Sequence, residues 1–98
     1  MTQPSQVRFP SEPARFDGAR MAVCFMAAVD DRRVECAVTA EALEDHFGAS
    51  SALESELLEA FETGRGRIQN ACREALLRDS DTPPLLRSGL FRVEEGEF

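Results

Sequence analysis

Residues 21–39 read MAVCFMAAV, then DDRR up to residue 33, then VECAVT. Two stretches rich in β-branched and apolar residues, joined by a short charged link, predict a β-hairpin. With Asp31 and Arg32 at the centre of the turn, Val29 opposes Val34, Ala27 opposes Cys36 and Phe25 opposes Val38. All six then share one face, as a coherent register requires. The second stretch alternates apolar and polar residues. The first is apolar on both faces, with Val23, Phe25, Ala27 and Val29 on one and Ala22, Cys24, Met26 and Ala28 on the other. A strand that is apolar on both sides is normally buried on both. The second face, Ala22, Cys24, Met26 and Ala28, is therefore expected to be an interface. Either the short helix and the terminal strands fold over it, or a second copy of the chain does, and an isologous homodimer is expected.

Outward from the hairpin, Pro4, Pro10 and Pro13 break up the N-terminal stretch, where Val7-Arg8-Phe9 reads as a short edge strand ended by Pro10. Thr39 is the expected N-cap of a short helix over Ala40 to Phe47, stopped by Gly48. Ser51 and Glu54 form the pattern of a capping box. The apolar stripe Leu53, Leu57, Leu58, Phe61, Gly64, Ile68, Cys72, Ala75, Leu76 then predicts one long helix to about Arg78, with a bend at Gly64 and Gly66 as the alternative. Asp79 to Pro84 reads as a loop. Leu85-Leu86 and Leu90 to Val93 supply one more short strand, and Glu94 to Phe98 a solvated tail. The fold class expected is α+β: a small antiparallel β-sheet built on the 21–39 hairpin, packed against one long helix plus a short one. The whole chain, 1–98, reads as a single domain, ordered over about 7–93 and flexible at 1–6 and 94–98.

The order of these elements resembles a family of short bacterial proteins, domain of unknown function 1488. The resemblance rests on Phe9-Pro10, Val23-Cys24-Phe25, Cys36-Ala37-Val38-Thr39 leading into Glu41-Ala42-Leu43, Phe47-Gly48, Phe61 followed by Arg65, and Ile68. It covers about residues 7–92, and the chain departs from the pattern at Asp31, Gly64 and Gly66. The resemblance implies no activity, so it assigns no catalytic residue.

The chemistry the sequence can carry is limited. The chain has 11 basic and 18 acidic residues, a net charge of -7, and a pI near 4.6. An acidic body repels phosphate, which argues against nucleic acid and anionic membrane as partners and favours a protein with a basic patch. Cys24, Cys36 and Cys72 contain no CxxC pair, and the longest apolar run, Met21 to Val29, is far short of a membrane span. No signal peptide is read at the N-terminus, and a reducing cytoplasm is expected. His46 beside Asp45 lacks a spaced nucleophile and reads as a helix-end histidine. No catalytic, metal or cofactor residues are expected. Arg65 and Arg67, in Gly64-Arg65-Gly66-Arg67, are weak anion-site candidates, with Arg65 paired to Glu62 as the plainer reading. The function expected is a small non-enzymatic interaction or regulatory module. The alternative is a ligand binder or minor enzyme with its site in a dimer cleft near Cys24 and Arg65.

Overall fold

Strand β3 (Ala22–Val29) passes to β4 (Arg32–Thr39) through only two residues, Asp30 and Asp31. The turn therefore sits one residue earlier than expected, and the register is Val29 with Arg32, Ala27 with Val34, Phe25 with Cys36 and Val23 with Val38. Each residue of β3 meets a partner two positions before the expected one. A shift of two leaves every side chain on its predicted face, because the strand period is two. Asp30 adopts φ 53, a left-handed conformation that aspartate tolerates better than most residues. Its N–H donates to the Gln6 carbonyl at 2.9 Å, and the Gln6 N–H donates to Asp30 Oδ1 at 3.1 Å. An aspartate thus stands where a glycine would only turn the chain, and it also tethers the segment entering β1.

A computed structural model describes residues 6–95, with side chains through Phe91. Residues 1–5 and 96–98, where flexible ends were expected, lie outside the described residues. Strands β1 (Val7–Arg8) and β2 (Arg15–Asp17) both pair antiparallel with β3, β1 near its end and β2 near its start. β2 was not anticipated. Helices α1 (Ala40–His46), α2 (Glu54–Thr63) and α3 (Arg65–Arg78) follow β4, and then β5 (Leu85–Leu86) and α4 (Ser88–Glu95). β5 pairs parallel with β4, so the expected antiparallel sheet is a mixed one of five strands. The Ala37 N–H donates to the Pro84 carbonyl at 3.1 Å. Pro83 and Pro84 carry no N–H to continue that ladder, which limits β5 to two residues. The expected strand at Leu90 to Val93 is instead α4, and the expected tail begins inside it.

Among the described residues, the buried apolar helix side chains, from Ala40 and Leu43 through Phe61 and Cys72 to Phe91, form one core with the Val23, Phe25, Ala27, Val29 face. Phe61 lies 5.1 Å from Phe25 between ring centroids, and Phe9 lies 6.3 Å from Phe25 on the other side. The Thr39 hydroxyl accepts from the Ala42 N–H at 3.1 Å, the N-cap read from the sequence. The capping box at Ser51 does not form. Ser51 Oγ accepts from the Leu53 N–H at 3.3 Å, α2 starts at Glu54, and Leu53 is left 66% exposed rather than in the core stripe.

The long helix is interrupted at a single residue, Gly64, which has φ -103 and ψ 17. A Cβ built on Gly64 would stand 2.2 Å from Phe47 Cδ1, so the Phe47 ring lies directly against the bare backbone. Gly66 faces open space. Gly64→Ala is expected to lower stability by about 1–3 kcal/mol through overpacking, whereas Gly66→Ala is expected to be neutral or to raise it by up to about 1 kcal/mol. Denaturant melts of the two variants check this, and equal effects would remove the steric account.

Candidate functional site

Among the described residues, one face of the sheet carries no helix, and along it runs the row Ala22, Cys24, Met26, Ala28. Pairing places Asp17 beside Ala22, Arg15 beside Cys24 and Arg8 beside Ala28 on one flank. On the other flank stand Ala37 beside Cys24, Glu35 beside Met26 and Arg33 beside Ala28. Arg15 reaches across β3 to pair with Glu35, and Arg33 Nη2 contacts both Glu12 oxygens at 2.8 and 2.9 Å. Long charged side chains that lay their stems over small neighbours exclude water from them. Ala22, Cys24 and Ala37 are accordingly 0%, 2% and 1% exposed, with Leu85 packed at their side. Within the chain this face is covered by ion pairs from the neighbouring strands and by β5, not by the short helix. Met26 and Ala28 remain half-buried.

The three cysteines are free and buried. Burial pushes the Cys24 thiol up, and the nearby Glu35 carboxylate adds to the shift. Cys72 is also raised, first by its hydrogen bond with Cys36 and then by burial. A thiol held protonated is a poor nucleophile. Labelling of the native protein by a thiol reagent near neutral pH is expected to be slow at all three sites. Glu35→Gln, which removes both the carboxylate and the arch over Cys24, is expected to speed labelling of Cys24 several-fold. A fast Cys24 in the unaltered protein would contradict this.

Asp45, His46 and Ser88 meet where α1 packs on α4. The Ser88 hydroxyl donates to Asp45 Oδ2 at 2.6 Å, and its oxygen stands 3.1 Å from His46 Nε2. The single hydroxyl proton is committed to the shorter bond with the carboxylate. Ser88 Oγ is therefore an acceptor toward Nε2–H. The trio holds α1 against α4. Phe91, one turn along α4, meets Phe47 edge-on at 5.0 Å and secures the same junction. Ser88→Ala strands the groups that faced the hydroxyl and is expected to cost about 1–3 kcal/mol in a denaturant melt.

Arg65 and Arg67 do not converge. Arg65 Nε donates to Glu62 Oε1 at 2.9 Å, its guanidinium lies 4.8 Å from the Phe61 ring centroid, and it lines a shallow groove with Phe9, Pro10 and Glu12. The hydrogen bonds from Arg65 hold the Glu62 carboxyl below its ordinary range. Arg67 lies over Phe47 at 4.8 Å, in a separate recess with His46 and Thr63. Cys24 lies on the helix-free face and Arg65 in the helix layer, so one chain has no cleft containing both. Among the described residues, no three His, Cys, Asp or Glu side chains are grouped to hold a metal, and no helix is long and apolar enough to cross a membrane.

These features define a two-layer α+β protein with a mixed sheet, one face under helices and the other under its own ion pairs. The chain belongs to the family described as protein of unknown function (DUF1488), whose pattern matches residues 7–84. Among solved structures, it is similar to the crystal structure of a protein of unknown function from that family from Shewanella loihica PV-4. The TM-score is 0.73 at 18% identity, covering 88% of this chain and 94% of that one. A search of curated proteins finds no match.

Proposed function

We propose that this protein is a non-enzymatic interaction module whose α1–α2 surface docks a basic segment of another protein. The observation that carries the reading is the distribution of charge. Residues 34–64 hold Glu35, Glu41, Glu44, Asp45, Glu54, Glu56, Glu59 and Glu62, and no arginine. Seven of the eight lie on α1 and α2, which pack side by side. Leu53 stands exposed where α2 begins, an apolar contact at the margin of the acidic surface. A one-signed surface of this kind steers a basic partner and rejects acidic ones. The protonated thiols support the non-enzymatic half of the reading. A reducing cytoplasm is the compartment it assumes, and the three free thiols support that assumption.

The test is capture from native lysate on the immobilised chain, with the retained proteins identified. A basic protein is expected to be retained by the unaltered chain and released at about 0.5 M salt, where exposed charges are screened. The triple variant Glu54→Gln, Glu56→Gln, Glu59→Gln is expected not to retain it. Equal retention by the triple variant would remove the acidic surface from the reading.

A further inference from the structure

We propose that the helix-free face of the sheet is the contact between two copies of this chain, related by a two-fold axis that runs across the strands between Cys24 and Met26. This contact lies on a different face from the acidic helices and does not depend on the reading above.

The argument starts from the charges that the face leaves over. Arg15 is paired with Glu35, and Arg33 with Glu12. Arg8 makes no ion pair among the described residues, and Asp17, whose Oδ1 accepts from the Ala19 and Arg20 N–H groups, has only one long ion pair, 3.9 Å, to Arg20. Both lie on the same flank of β3, Arg8 beside Ala28 and Asp17 beside Ala22, at opposite ends of the small-residue row. A two-fold axis across the strands sets Arg8 of each copy against Asp17 of the other. It also sets Ala28 against Ala22 of the second copy, and Met26 against Cys24 of the second copy. The alternative axis, along β3, sets Arg8 against Arg33 of the second copy, and like charges disfavour it. Electrostatics thus selects one arrangement, which a second copy of the chain satisfies twice over.

The row itself suits that occupant. The unbranched Met26 adapts its shape to a facing copy. Met26 and Ala28 are the half-buried members of the row, and they are the ones the second copy covers. The Arg15–Glu35 arches stay at the seam. Taking paired charges out of water opposes association, so a dimer dissociating in the micromolar range is expected rather than an obligate one.

Light scattering on a size-exclusion column, with the full chain from roughly 1 µM to 1 mM, reads the outcome. The mass is expected to rise from 10.8 kDa toward twice that value. Met26→Glu, placed at the centre of the row, is expected to keep the protein monomeric throughout. Arg8→Asp and Asp17→Arg are each expected to weaken the dimer at least tenfold, and the double variant to restore it. Circular dichroism melts verify that each variant is folded, and Ala28→Glu replaces Met26→Glu if that variant is not. A monomer at every concentration overturns the proposal, as does a dimer indifferent to Met26→Glu. Loss in both charge variants without rescue in the double variant overturns the axis. A monomer that captures a different protein through this face overturns the choice of occupant.

Discussion

The pairing of β3 with β4 is the contact on which the rest of the molecule depends. β3 receives β1, β2 and β4, and β4 in turn receives β5, so every strand registers directly or indirectly against Ala22–Val29. A strand bonded on both edges has no freedom of register. Its two faces therefore become two different surfaces. The side chains of Val23, Phe25, Ala27 and Val29 form the floor on which the helices pack. Those of Ala22 and Cys24 are too small to recruit a helix layer of their own, and charged neighbours shelter them instead. The thinness of a 98-residue domain is met in this way without a third layer.

The polar groups of the helix layer are held in the same economical way. Polar groups that resemble reactive ones are tied down by structural partners: Ser88 to Asp45, Arg65 to Glu62, Cys36 to Cys72. Each tie holds two elements or adjacent turns together.

The hairpin, the capped α1 and the stripe Leu57, Phe61, Ile68, Cys72, Leu76 were legible because each is set by residues close in sequence. Face assignment survived an incorrect turn because a two-residue shift preserves parity. The features that could not be read depend on distant partners. The need for a residue without a side chain at position 64 comes from Phe47, seventeen residues earlier, through a contact no periodicity records. Leu90 to Val93 reads as strand because Phe91 and Val93 alternate with Arg92, yet Phe91 lies in a helix and packs against Phe47. β2 is three residues with one apolar side chain, below what alternation can reveal. The cover over Cys24 could not be foreseen, because Arg15 and Glu35 meet across a strand that separates them in space and by twenty positions in the chain. The weak anion candidates Arg65 and Arg67 are adjacent to the same glycine and yet line separate recesses, since a helix carries residues two apart to different sides.

The parallel placement of β5 has a consequence for the order of assembly. Parallel strands need a long crossover, and here the crossover comprises residues 40–84, three helices and a loop. Pairing so remote in sequence forms late, because the intervening chain must first be closed up. Until Leu85 and Leu86 arrive, the outer edge of β4 is a bare template for any extended chain nearby. Arg32, Arg33 and Glu35 occupy that strand where β5 never reaches, and charge on an open edge is a known deterrent to intruding strands. The two prolines then end the ladder once β5 is seated. Where β5 never reaches, the charges of Arg32, Arg33 and Glu35 stand on that edge in the nascent and the finished chain alike.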